Sequence, residues 1–193
     1  MPTVLRCTAK LLARMRIPAK PPEPGPSDNP LGEWYADLDT WRREPFVVML
    51  NVATGATLVL PGRAADLRRM HIHASLQFAV LCEYFGLAGP AVAAETECLE
   101  SGFMHAPTCD RSILGSLNER KVATWMHFEH DGSLSAEAAA RAWDGLYKHP
   151  SLGPHPRTGD PYHRPLDLLR ARLSQPSTVI QLDRWRSRHR GDC

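Results

Sequence analysis

The order of elements predicts an α+β fold. Strand patterns fall early in the chain, helical patterns fill the rest, and the clearest strand pair is a hairpin. The expectation is a small antiparallel sheet, made of an N-terminal strand and the central hairpin. Helices pack on one of its faces, and a helical extension follows at the C-terminal end.

The first strand is TVLRC, residues 3–7. Thr8 is placed to cap a helix, with Leu11, Leu12 and Met15 on one face. Residues 20–30, KPPEPGPSDNP, carry five prolines and a glycine, so residues 18–30 read as a linker or an extended, mobile arm. In LGEWYADL, residues 31–38, Trp34 and Tyr35 are large amphipathic rings. Such rings ordinarily anchor a core edge, and stacking on a base or sugar is the second reading.

The hairpin is PFVVMLN (45–51) and ATLVLP (56–61), turning at Thr54-Gly55. Its nearly continuous apolar run suits a strand covered on both sides or central in its sheet. Leu67, Met70, Ala74, Phe78, Leu81 and Phe85 recur at helical spacing over residues 63–85. Pro90 opens a helix to about Glu100, with Glu95, Glu97 and Glu100 facing solvent. Residues 101–111 read as irregular. Residues 117–130 read as a helix, because Ser116 and Glu119 fit a capping box. An Ala-rich helix over 133–149 starts at Ser135, residues 149–165 form an irregular loop, and 165–173 are a short amphipathic helix. The expected organisation is a core over 1–130, a helical extension over 131–175 and a basic tail over 176–193.

Composition limits the function classes. Charged residues are 23% and the net charge is +2, which gives no global polyanion signature. Only the last ten residues are strongly basic, with four arginines and one aspartate. Five scattered cysteines, at 7, 82, 98, 109 and 193, argue against a disulfide framework or a zinc ribbon. No signal-peptide pattern and no membrane-length apolar window occur, so a reducing cytoplasm is expected.

The candidate chemistry centres on CDRSILGSLNERK, residues 109–121. Arg111, Ser112, Gly115, Ser116 and Asn118 at a helix start suit an anion, with unsatisfied first-turn amides and a planar guanidinium. The spacing is not that of a Walker A loop. The structural alternative has Ser116 as a cap and Arg111 paired with a carboxylate. Neither a metal nor a cofactor is expected. His71 and His73 do not share a helix face, and His127 and His130 lack completing ligands. Cys109 is a candidate nucleophile with no assigned base.

Three segments in order, LRCTAKLL (5–12), LGEWYADL (31–38) and RSILGSLNE (111–119), resemble a family of small bacterial proteins of unknown function. Its pattern runs R-C-T-x-K-L-L, G-x-W-Y-A-x-L, a hairpin like VMLNVATGATLVLP, then R-S-x-L-G-S-M-N-D. The resemblance covers about residues 3–130, and Leu117 and Glu119 depart from it mildly. It supplies no activity. It implies that Arg6, Lys10, Trp34, Tyr35, Arg111, Ser112, Ser116 and Asn118, with Thr8 and Gly115, form one unit.

The leading expectation is an intracellular accessory or binding protein that recognises an anionic ligand or nucleic acid through this Arg/Lys/Ser/Asn cluster. The expected partners are a nucleic acid or phosphate-containing ligand and a protein, with no membrane. The alternative is a small metal-independent nucleic-acid-processing enzyme, like a ribonuclease toxin, recruiting His105 or His127 as base.

Overall fold

A chain that leaves β1 (Thr3–Cys7) through helix α1 (Ala9–Met15) and a Pro-rich arm returns to the sheet running the same way. Such a crossover makes strands parallel, and β2 (Trp34–Trp41) pairs parallel with β1, Arg6 opposite Tyr35. The computed structural model describes residues 2–25, 27–132, 136–154 and 159–174. From β2 the chain meanders through β3 (Glu44–Asn51) and β4 (Thr57–Pro61), both antiparallel. On the other side of β1 lies β5 (Phe103–Pro107), parallel to it, giving the order β4-β3-β2-β1-β5. The fold is α+β as expected, but the sheet is mixed, because crossovers rather than hairpins deliver β1, β2 and β5.

Two turns fix the meander. Arg42 and Arg43 form the two-residue link between β2 and β3, with φ of 45° and 71°. This is the positive-φ geometry that two-residue hairpins favour and that Asn-Gly would ordinarily supply. Arg42 lies over the Trp41 ring at 4.6 Å and bonds Glu129, which ties the turn down. In the β3–β4 turn, Asn51 Oδ1 accepts from the Ala53 and Thr54 amides and the Thr54 hydroxyl. Gly55 has φ +73°, and a Cβ there would fall 2.3 Å from the ring of Tyr147, so only glycine fits.

Both faces of the sheet are covered. Trp34 and Trp41 are seven residues apart on one regular strand and therefore point to opposite faces. Trp34 meets Phe78 of α3 (Met70–Tyr84), which packs with α4 (Pro90–Glu100). Trp41 and Phe46 meet Phe128 of α5 (Arg111–Asp131). Helices on one face alone, as expected from the sequence, would have left Phe128 without its partners. The short α2 (Ala64–Leu67) precedes α3, and the break between them at Arg68-Arg69 divides the expected 63–85 helix.

The C-terminal part joins the same core. Helix α6 (Glu137–Asp144) sends Trp143 under β4, where its indole N–H donates to the Thr57 carbonyl at 2.8 Å. Strands β6 (Tyr147–Lys148) and β7 (Tyr162–His163) pair next to it, and α7 (Pro165–Leu173) buries Leu166 and Leu169. The expected helix start at Ser135 and the basic tail lie outside the described residues.

Three local expectations are corrected. The stretch 101–111 is not irregular: it contains β5. Helix α5 starts at Arg111, not after Ser116, because the Asp110 carboxylate accepts from the Ser112 and Ile113 amides. Glu95 does not face solvent. It is fully buried, for a reason given below.

Candidate functional site

Glu33, Tyr35, Asp37 and Asp39 lie along one face of β2 at a period of two. Each is answered by a residue from elsewhere. Arg6 donates to Glu33 at 2.8 Å, to Glu23 of the Pro-rich arm at 2.7 Å and to the Pro107 carbonyl at 3.4 Å. The Tyr35 hydroxyl lies 3.5 Å from Cys109 Sγ. Asp37 accepts from the Thr8 hydroxyl and from Lys121 of α5, both at 2.5 Å. Lys121 also reaches Asp39 at 3.9 Å, and Lys10 reaches it at 4.0 Å.

Burial is the largest influence on Arg6 and opposes its charge, but the Glu33 and Glu23 carboxylates outweigh it and hold the guanidinium firmly protonated. Burial pushes the Tyr35 phenol well above its usual range, and the neighbouring Cys109 adds to this. Cys7, shut in β1, is pushed up by burial and by Asp37. Cys7, Cys82, Cys98 and Cys109 are free thiols, and Cys193 lies outside the described residues.

A second cluster stands on the same helix. The inner stripe of α5 is Ile113, Leu117, Arg120, Thr124 and Phe128, all buried. Arg120 is therefore a cation on an apolar face. It is 7% exposed, and its Nε and Nη2 are closed off from solvent with no hydrogen-bond partner among the described residues. Its guanidinium sits over the Tyr147 ring at 4.6 Å, a cation–π contact. The Ser116 hydroxyl, one turn back, is within bonding reach of Tyr147. Burial lowers the Arg120 pKa, with no carboxylate bonded to it, and burial raises that of Tyr147. An arginine nevertheless keeps its proton, so a charge is held here without a counter-charge in contact among the described residues.

The sequence-predicted residues are divided among several places. Arg6 and Tyr35 are neighbours, and Lys10 joins the same polar strip through Asp39. Trp34 turns to the other face, fully buried, and donates its indole N–H to Glu95 at 3.0 Å. Neither Trp34 nor Tyr35, at 0% and 2% exposure, offers a ring face to a base. Arg111, Ser112 and Asn118 are exposed on α5, while Ser116 is buried beside Tyr147. The first-turn amides that were expected to receive an anion are taken by Asp110. His105 packs edge-on to Phe103, and His127 lies 3.5 Å from Arg141, so neither bonds to Arg6, Tyr35 or Cys109.

Glu33, Asp37, Lys121 and Arg120 were not anticipated. Two signals were present. The acidic residues of β2 alternate, and Arg120 falls in register with Ile113, Leu117, Thr124 and Phe128.

Among the described residues no helix is long and apolar enough to cross a membrane. No curated protein and no solved structure matches the chain. A family model does match, over residues 4–150, a span that takes in β1, the polar strip, α5 and Tyr147. With three quarters of its length inside that match, the chain belongs to the family of the domain of unknown function DUF6933.

Proposed function

We propose that this protein is a non-catalytic binding protein whose ligand presents a small anionic group, a carboxylate or a phosphate, to Arg120. The observation that carries the reading is the buried guanidinium with two unpartnered nitrogens. A buried charge left uncompensated costs several kcal/mol, and native folds rarely keep one without an ion, a water or a ligand to answer it. The Tyr147 ring lies against the guanidinium, and the Ser116 hydroxyl is turned to Tyr147. Arg6, the strongest cation expected from the sequence, is already neutralised by two carboxylates and has little left for a ligand. Among the described residues no carboxylate bonds Arg120, and the nearby His149 is engaged at both ring nitrogens, by the Val52 carbonyl and the Ser151 amide, which favours binding over catalysis.

The test is thermal unfolding of the protein in buffers of rising inorganic phosphate and, separately, acetate. A ligand that binds only the folded state stabilises it by about 2.7 kcal/mol at about 100 times Kd. The wild type is expected to respond to one of these anions. Arg120→Met and Arg120→Lys are expected not to, since an ammonium cannot reproduce the planar fork. A wild type indifferent to both anions, or an Arg120→Met protein that responds equally, overturns the reading.

A further inference from the structure

Helix α5 has an outer face as well as an inner one. Arg111, Gly115, Asn118, Val122, Trp125 and Glu129 follow one another at steps of four, three, four, three and four. That is the a/d spacing of a helix seam that packs on another helix. The buried stripe runs along the opposite side, so this seam points to solvent. Val122 is 61% exposed, Trp125 45%, and the flanking Met126 64%.

The composition of the seam selects its occupant. Gly115 is a notch, since a Cβ built there meets nothing within 4 Å. Trp125 is a large knob on the same line, ten residues on. Arg111 stands at one end and has no bonded partner among the described residues. Glu129 stands at the other, its side chain 37% exposed. Turn a second α5 end for end about a two-fold axis at the level of Arg120, and the charged ends, the notch and the knob meet their complements. Arg111 faces Glu129, Gly115 faces Trp125, Asn118 faces Val122, and Leu114 faces Met126, each pair occurring twice. A parallel pairing would set Arg111 on Arg111 and Trp125 on Trp125. Glu129 is already bonded to the Trp41 indole and to Arg42, one on each carboxylate oxygen, which leaves a free lone pair on each.

We propose that the outer face of α5 is the interface of an antiparallel homodimer, with Trp125 of each copy seated over Gly115 of the other. The interface is isologous and closes on itself. It is independent of the Arg120 reading, because Arg120 faces the opposite side of the helix.

The experiment is light scattering on the full chain across a range of about 5 to 500 µM, spanning weak and moderate affinities. The wild type is expected to double in mass within that range. Gly115→Leu fills the notch without touching the fold and is expected to stay monomeric throughout, as is Arg111→Glu. For orientation, Leu114→Cys and Met126→Cys proteins are mixed in equal amounts and oxidised. The mixed disulfide is expected in excess, since like positions lie 12 residues, about 18 Å, apart along the helices. A wild type monomeric at the highest concentration overturns the proposal. So does a Gly115→Leu protein that still dimerises, or a preference for disulfides between like positions.

Discussion

Two buried charges sit on opposite faces of the sheet, and they are treated in opposite ways. Glu95 of α4 is fully buried and fully answered. Its carboxylate accepts from the Asn29 side-chain amide at 2.8 and 2.9 Å, the Leu31 backbone amide at 2.9 Å and the Trp34 indole at 3.0 Å. Burial pushes its pKa up, and the donors oppose that push. Arg120 of α5 is nearly as buried, yet two of its nitrogens have no partner. The first charge is complete within the chain: it clamps the Pro-rich arm and the start of β2 onto α4. The second keeps two nitrogens without a partner among the described residues, and the ligand proposal rests on them. Burial alone therefore does not distinguish the two charges; the unanswered donors do.

The largest expected effect is at the answered charge. Glu95→Ala leaves the Leu31 amide and the Trp34 indole without an acceptor, leaves the Asn29 amide only the Gly32 carbonyl, and opens a cavity. It is expected to lower unfolding free energy by about 3–5 kcal/mol, the range for breaking a buried charged network. Urea denaturation gives the value directly. A loss below about 1 kcal/mol would mean that water readily replaces the carboxylate, and the contrast with Arg120 would disappear.

Arg120→Met is the mirror experiment, read here for stability in anion-free buffer. Replacing a buried charge by an apolar chain of similar volume is often neutral or stabilising. The midpoint is expected to stay within about 1 kcal/mol of wild type or to rise, the cation–π contact with Tyr147 being worth about that much. A loss as large as that of Glu95→Ala would make the guanidinium a structural clasp and leave the ligand reading without its carrier.

The same contrast explains what the sequence could and could not show. The β3–β4 hairpin was legible because its signals are local: two apolar runs and a Thr-Gly turn. The order of the helices was legible from periodicity. Glu95 was misread because it shares a short helix with Glu97 and Glu100, while its donors lie more than 60 residues earlier. The capping box at Ser116 was a real local match, overridden by Asp110 one and a half turns upstream. β2 was missed as a strand because its polar face looks like a loop until Arg6, Thr8 and Lys121 are brought to it. Arg120 was the exception. Its place in the apolar stripe is readable from spacing alone, since it falls in register with Ile113, Leu117, Thr124 and Phe128.

A smaller effect tests the packing around Tyr147. His149 is buried, its ring edge against Tyr147 at 5.6 Å. Its Nε2 lies 3.0 Å from the Val52 carbonyl, and its Nδ1 accepts from the Ser151 amide at 3.1 Å. That arrangement requires the neutral ring with the proton on Nε2, and burial lowers its pKa. Burial lowers that of His105 too. For a base with a lowered folded pKa, the unfolded chain takes up the proton first. The stabilisation is present in full above the unfolded value near 6.5 and is lost as pH falls below it. Urea midpoints from pH 7.5 down to 5.5 are expected to drop, by up to about 1.4 kcal/mol per pH unit for each extra proton bound on unfolding. His149→Gln, whose amide can still donate to Val52, is expected to flatten that slope. An unchanged slope in that variant would assign the acid loss elsewhere.

The smallest effect separates the two residues that compete to begin α5. Asp110 accepts from two first-turn amides, so Asp110→Ala is expected to cost about 1 kcal/mol, the usual value of an N-cap. Ser116 lies inside the helix, where alanine is the better helix former by a few tenths of a kcal/mol. Its hydroxyl faces Tyr147, not a free amide. Ser116→Ala is therefore expected to shift stability by less than about 0.5 kcal/mol, because the gain in propensity offsets the lost hydrogen bond. In rising phosphate or acetate the order reverses. Asp110→Ala should keep the full anion response, since the cap is remote from the guanidinium along the helix. Ser116→Ala should weaken it, since the Tyr147 ring that lies against Arg120 loses its hydroxyl partner. If both variants respond as the wild type does, Arg120 holds its anion without help from the pairing of Ser116 with Tyr147.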